Sequence, residues 1–488
     1  MSGSASQTSA PLLSVSFEGL DAAKPVSDPA LDRIAAYLTD RFGLTFADHA
    51  QVNLARVAAA AAKQFGFGSL ANLALQIESP EAERAAVPWL IRELTVGETY
   101  FFRVSEQFAA LREIVAPDVA RNCVSTGQAL VRAWSAGCAS GEEAYSIGIA
   151  LAETLPGFQI SVLGTDINRS FLARAEKAEY STWSLRGVSE SDRERYFDWP
   201  TPASASLKPE LRRLARFGYL NLNDACFPDL LTGTAGLDVI FCRNVFIYHD
   251  TQRVAQLAQQ LSTCLRDGGY LFFGPSDPVP AQLPGMKPVA CAASMVFQRT
   301  GAESERPKPP SKAVAKSRLI EKRAPLPARP PRRPEPTSVP AAPPAFRKAD
   351  IAERALSLAN RGDLSGAQDL AEEWLAKDAT DAPACHLLAL IHKEKRNPRL
   401  AMRYVRRAVY LDPNFALAHY EMAELLAAEN RRAQALGCFE NALALLERLD
   451  ADAVLAGSTE IRAGWLTRVI RTRMKSLDET SELEELAP

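Results

Sequence analysis

The sequence predicts an α/β domain with a mostly parallel sheet covered on both faces, followed by an all-α repeat domain, in a chain of 488 residues. Two patterns carry this. Between about 128 and 300, short β-rich runs alternate with helical stretches, as they do when strand–helix units bury both faces of a sheet. After 348, alanines recur at a 34-residue step, at Ala355, Ala389 and Ala423 and again at Ala367, Ala401 and Ala435. A third observation separates the two halves. Residues 301–350 hold 12 Pro, 12 Lys+Arg and 5 Asp+Glu, a composition that cannot bury enough apolar surface to offset its own ordering, so 301–347 reads as a Pro-rich basic linker.

Taken in order, residues 1–27 read as a disordered tail and 28–92 as a helical domain. There LDRIAAYLTDRFGL and VNLARVAAAAAKQF place apolar residues at three- and four-residue spacing. The α/β domain, 93–300, pairs ALVRAWSAG with the helix EEAYSIGIALAETL, ISVLGTDI with RSFLARAEKAEY, and LDVIFCRNV with TQRVAQLAQQLSTCL. YLFFGPS and ASMVFQR follow as strands. In the repeats, two small-residue positions twelve apart suit antiparallel helices whose backbones approach closely. Three tetratricopeptide units are expected over 348–449, the first least regular, with Trp374 where the others have Ala408 and Ala442. The stripe Ile461, Trp465, Leu466, Val469 and Ile470 predicts a closing helix within 450–488, ending in an acidic tail.

Composition bounds the function. With 47% apolar and 23% charged residues the chain is globular, and a net charge of −2 gives no global field for nucleic acid. No run of eighteen apolar residues and no signal-peptide pattern occur, so the expected location is cytoplasmic and the protein is not expected to be integral to a membrane. Eight cysteines without a CxxC, and five histidines without paired spacing, predict reduced thiols and no metal.

In an open α/β sheet, ligands bind beyond the carboxyl ends of the strands. There the first strand runs through Gly137 and Gly141 into Glu142 and Glu143, glycines that allow a tight turn and a close backbone approach. The second strand ends in Asp166, placed to accept both hydroxyls of a ribose. The turn lacks GxGxxG and the lysine of a phosphate loop. A nucleoside cofactor without phosphates, such as S-adenosylmethionine, therefore fits better than a dinucleotide, with Glu142 or Glu143 meeting its cationic end. Asn244, an amide after an apolar strand, points to a ligand contact.

The motifs GETYFFR (97–103), WSAGCASGEEAYSIG (134–148), GTDIN (164–168), LNLND (220–224), DVIFCRNVFIYH (238–249) and GGYLFFGPSD (268–277) resemble those of the CheR-type chemotaxis receptor glutamate O-methyltransferases. The resemblance covers about residues 28–300, and the later repeats resemble the tetratricopeptide extensions of some members. It implies a Rossmann-like class I methyltransferase fold with a small β insert at about 180–216. The implied cofactor is S-adenosyl-L-methionine, its product S-adenosyl-L-homocysteine, and the implied substrate the glutamates of a chemoreceptor's cytoplasmic domain. Carried over by position, the cofactor contacts fall on Gly97, Thr99, Arg103, Glu143, Asp166, Asn221, Leu222, Arg243 and Asn244, beside Gly137 of the turn. Arg103 and Tyr248 match the reaction centre. The repeats would take a protein or peptide partner in their groove. The rival reading is a scaffold whose methyltransferase fold only binds cofactor.

Three departures from the family pattern stand out. The helix around 51–65, basic in some members, carries only Arg56 and Lys63 here; the family's Gly-His-Ser is Gly274-Pro275-Ser276; and the insert gives no sign of whether it docks a receptor tail. Phe101, Phe102 and Tyr145 are expected to pack, and His249 to lie at the surface.

Overall fold

The computed structural model describes residues 28–46, 48–125, 127–224, 226–280, 282–289, 295–300, 348–458 and 461–485. The tail 1–27 and the linker 301–347 expected from sequence lie outside them. Two compact units result, one of residues up to 40 together with 46–94, the other of 41–45 and everything from 95 onward.

The first unit is helical: α1 (Pro29–Phe42), α2 (Asp48–Gln64), α3 (Leu70–Gln76), α4 (Pro80–Arg84) and α5 (Ala86–Leu94). Its alanines let α2 bury Leu54, Val57, Ala58, Ala61 and Ala62 as one stripe. Ser69 and Ser79 cap α3 and α4 by accepting the amides of Asn72 and Ala82. Phe65 meets Trp89 edge to face at 6.1 Å.

In the second unit α6 (Ser105–Ala110) runs through a π-turn, Leu111–Val115, into α7 (Ala116–Ser125). There follow β1 (Leu130–Ala136), α8 (Glu142–Thr154), β2 (Gln159–Asp166), α9 (Arg169–Lys177), β3 (Glu179–Ser181), α10 (Glu190–Tyr196), β4 (Phe197–Thr201), β5 (Ser204–Leu207), α11 (Pro209–Arg212), β6 (Ala215–Tyr219), β7 (Leu237–Cys242), α12 (Thr251–Cys264), β8 (Leu265–Phe273), β9 (Met286–Val289) and β10 (Met295–Arg299). The large sheet has the order β6-β2-β1-β7-β8-β10-β9, parallel from β6 to β8 and antiparallel beyond. β1 shows why both faces are covered: Val131 and Ala133 enter one core with Ile147 and Leu151 of α8, whereas Trp134 and Ala136 enter the other with Leu257 and Leu261 of α12. Its register with β2 ends at Ala136 opposite Thr165, so Gly137 and Asp166 emerge side by side.

The small sheet β3-β5-β4 packs its own core around Phe101, Tyr145, Tyr180 and Phe197. It closes at Leu207. Residues 215 and 216, expected within the insert, instead pair with Val162 and Leu163 in β6 of the large sheet, because the amide of Val162 already binds the carbonyl of Leu214 and leads the chain in.

The repeats form three helical hairpins: α13 (Lys348–Asn360) with α14 (Leu364–Lys377), α15 (Ala382–Glu394) with α16 (Pro398–Leu411), and α17 (Ala416–Ala428) with α18 (Arg432–Leu446), then α19 (Ala463–Glu485). The six periodic alanines are all fully buried where the helices cross, and Trp374 is buried in the first hairpin. Asp363, Asp381 and Asn397 each cap a following helix. No described helix is long and apolar enough to cross a membrane.

The repeats and the sheet share one unit and touch. The Leu230 amide donates to Asn360 Oδ1 at 3.1 Å, Arg132 Nη2 meets Glu394 Oε2 at 2.7 Å, and the backbones at Gly236 and Gly362 lie against each other. Gly236 has φ +62°, and a Cβ there would collide with the Cα of Gly362. Gly157 has φ +94° with open space around it. Gly157→Ala is therefore expected to cost only backbone strain, about 1–2 kcal/mol, and Gly236→Ala clearly more; calorimetric melting of the two variants measures the difference, and equal losses would remove the close approach.

Candidate active site

The turn after β1 is built by left-handed residues. Gly137 (φ +82°), Ala139 (φ +45°) and Gly141 (φ +91°) reverse the chain, and a Cβ on Gly137 or Gly141 would strike Val245 or Ala175. The amides of Gly137 and Cys138 both donate to the carbonyl of Thr165. This seals the turn onto the end of β2, where Asp166 Oδ2 accepts the Ala139 amide at 2.9 Å and Oδ1 the Asn168 amide at 2.8 Å. Burial pushes the Asp166 carboxyl up to about 6, against the pull of the amides of Asn168, Ala139 and Ile167. No ion pair is made by Asp166 among the described residues, so its remaining lone pairs suit neutral hydroxyl donors. That donor set fits a ribose.

Behind the turn, the two glutamates that open α8 divide their work. Glu142 is buried against the hydroxyls of Ser140 (2.8 Å) and Ser184 (3.0 Å), so it ties α8 to the segment after β3; burial raises its pKa, and the two hydroxyls pull it back. Glu143 takes the Ser135 hydroxyl at 2.7 Å and Arg243 Nε at 2.6 Å. Arg243 in turn donates through Nη1 to the Arg103 carbonyl at 2.6 Å and to Gln107 Oε1 at 2.8 Å, with the rings of Phe108 and Phe241 at its guanidinium. Gln107 Nε2 then reaches the Phe273 carbonyl at 2.6 Å. One buried guanidinium thus joins β7, α8, α6 and the loop that carries Arg103.

After β7 the backbone turns through Asn244 at φ +57°, a conformation asparagine tolerates better than most residues. Asp277 holds it there. Its Oδ2 accepts the amides of Asn244 (2.7 Å) and Gly274 (2.8 Å), and its Oδ1 accepts that of Phe246 (3.0 Å). Burial raises its pKa while these amides oppose the rise.

Of the remaining candidates, Asn221 and Leu222 lie beside the end of β2. The Leu220 amide lies 3.4 Å from the Asp166 carbonyl, which brings Asn221 and Leu222 beside it; Asn221 Nδ2 donates to the Arg41 carbonyl at 2.7 Å and its Oδ1 accepts the Asn223 amide. Gly97 packs on Phe171 of α9, whose ring occupies the place of a Cβ, and the adjacent Thr95 accepts Asn168 Nδ2 at 2.8 Å. Thr99 is half-buried. Arg103 is half-buried too, with Nη1 on the Glu98 carbonyl at 2.6 Å and the guanidinium 5.9 Å from the Tyr100 ring. Tyr248 ends the 3₁₀ turn Phe246–Tyr248; its side chain lies outside the described residues.

His249, expected at the surface, is instead half-buried, with Nδ1 3.2 Å from the Val245 carbonyl and its ring against Gly43; burial lowers its pKa. Phe101 and Tyr145 pack as expected, Tyr145 donating to the Ala175 carbonyl. Sequence reasoning missed Gln107, Ser135 and Asp277. Asp277 closes a motif that the resemblance rests on, so a signal existed for it; Gln107 had none.

Comparison with known proteins identifies the family. The family described as CheR methyltransferase, SAM binding domain, matches residues 97–294. A probable biofilm formation methyltransferase, WspC, of Pseudomonas aeruginosa is 32% identical over 361 residues, 71% of this chain and 83% of that protein. The chain belongs to the CheR methyltransferase family. A second relative, the chemotaxis protein methyltransferase Cher2 of Pseudomonas putida, is 31% identical over 247 residues, 48% of this chain and 85% of that one. Among solved structures, the Yersinia enterocolitica type III secretion translocator chaperone SycD aligns with 28% of the chain at 13% identity and a TM-score of 0.25. As a CheR protein the chain is a methyltransferase with S-adenosylmethionine as its cofactor.

Two tests address the site. With Asp166 titrating near 6, its ionised, doubly accepting form fills as pH rises, so S-adenosylhomocysteine affinity is expected to climb about tenfold between pH 5 and 7 and to stay flat and weak in Asp166→Asn; titration calorimetry across that range decides it. Asp277→Ala leaves three turn amides without their acceptor, with an expected loss of about 2–4 kcal/mol in stability together with weakened cofactor binding. A variant with unchanged denaturation would show that the turn holds without Asp277.

Proposed function

We propose that the protein transfers the methyl group of S-adenosylmethionine to glutamate side-chain carboxylates on the cytoplasmic domain of a chemoreceptor, acting in the cytoplasm, with the repeats recognising a protein partner. The carrying observation is the site's acid–base content. Its half-buried guanidinium, Arg103, is held by the Glu98 carbonyl, while His249 is half-buried with Nδ1 on the Val245 carbonyl. A carboxylate nucleophile is ionised at neutral pH and needs no base.

The cofactor supplies an electrophilic methyl on a sulfonium; the chain supplies position. Arg103 steers the incoming carboxylate through charge-assisted hydrogen bonds, and its own loop is fixed by Arg243 on its carbonyl. Asp166 and the segment Asn221–Leu222 hold the nucleoside. Glu143, Arg243 and Asn244 would set the cofactor's other end, and the Tyr248 phenol would support the reacting pair. Alignment of this kind accounts for several kcal/mol of barrier.

Incubation with methyl-labelled cofactor and membranes carrying the receptor, followed by mapping of base-labile esters, tests the assignment; label confined to lysine or nucleic acid would overturn it. Arg103→Ala is expected to lower turnover by about 10²-fold with a melting temperature close to wild type, and Tyr248→Phe to lower turnover in the same sense. Near-normal transfer by either variant on the same receptor would strip it of its role.

A further inference from the structure

In a stack of helical hairpins the first helices line one face, and α15 here packs against both α13 and α17 along that face. Its charges are mixed: Lys393 of α15 meets the buried Glu421 of α17 at 2.6 Å, and Glu394 follows it. Glu394 ends α15 almost fully buried, and each of its oxygens takes a different guanidinium of the catalytic domain: Oε2 that of Arg132 on β1 at 2.7 Å, Oε1 that of Arg216 on β6 at 3.2 Å. On α17, Glu424 pairs at 3.4 Å with Arg473 of α19, which continues at 2.9 Å to Glu176 of α9.

Arg132 is itself prepared for this contact. It sits 5% exposed in an otherwise apolar strand, with Nη1 donating to the Ala235 carbonyl and Nη2 to that of Gly233. A buried guanidinium oriented by carbonyls and aimed at a carboxylate of another module is a costly arrangement unless the pair forms. The charges of Arg132 and Arg216 also outweigh the burial of Glu394 and keep its pKa below the ordinary glutamate value.

We infer that the Glu394 end of the first-helix face is a guanidinium-binding site whose resident occupants are Arg132 and Arg216 of the chain's own sheet, so that any partner taken there is an arginine-bearing segment in competition with the catalytic domain. The Glu394 contact lies toward the amino ends of β1 and β6, since Arg132 precedes Gly137 of the cofactor turn by five residues and about 16 Å of strand, whereas Arg468 of α19 lies 4.0 Å from Asp224, beyond the carboxyl end of β6. The Glu394 contact therefore stands away from the turn at Gly137, and the repeats are a fixed arm of the enzyme rather than a free tether. This holds whichever protein is methylated.

The test uses the full chain with a protease site placed within 301–347. After cleavage, the two halves of the wild type are expected to elute together at micromolar concentration. Glu394→Arg is expected to separate them, Glu394→Gln to weaken their association by tenfold or more, and the swap Arg132→Glu with Glu394→Arg to restore it in part. Circular dichroism melts of each uncleaved variant distinguish undocking from misfolding, because undocking preserves both folded halves. Separation of the wild-type halves on cleavage, or co-elution of the folded Glu394→Arg halves, would overturn the inference.

Discussion

The ion pair between Arg243 and Glu143 is the constraint on which the site depends. Both residues sit where strands end, and neither charge reaches water freely. A pair of this kind is tolerated only when its remaining donors and acceptors are satisfied, and here they are: Ser135 completes Glu143, while Gln107 and the Arg103 carbonyl complete Arg243. The loop carrying Arg103 thus takes its position from a charge buried behind it. Sequence alone assigned both residues to the cofactor; the geometry gives them a structural duty as well.

A second constraint is backbone conformation. The chain must reverse after β1 and after β7 within a few residues, and it does so through left-handed residues held by carboxylates that accept amides. Asp166 anchors the first turn and Asp277 the second. In each, a carboxylate enclosed by protein accepts backbone N–H groups in place of water, which stores rigidity at the points where a ligand must be met by main chain and short side chains.

What could be read from sequence followed periodicity. The 34-residue alanine step marked the hairpins because close helix crossings admit only small residues, and the alternation of strands with helices marked the sheet because both its faces are apolar. β6 escaped. ARFGY is short, carries an arginine and a glycine, and its pairing with β2 is a long-range fact that no local pattern encodes. Gln107 escaped for the same reason, its partners being a carbonyl 166 residues away and a guanidinium 136 residues away. The contact between Arg132 and Glu394 was equally invisible, since each residue reads locally as a solvated charge.

The backbone approach of Gly236 to Gly362 bears on how such proteins can be recombined. At the one point where main chain meets main chain, no side chain stands between the modules to adjust to a foreign neighbour. A repeat array grafted from a relative would fit this catalytic domain only if its first turn between hairpin helices also carried glycine in the left-handed region. A graft between family members is therefore expected to keep its fit only where the breakpoints leave both glycines together.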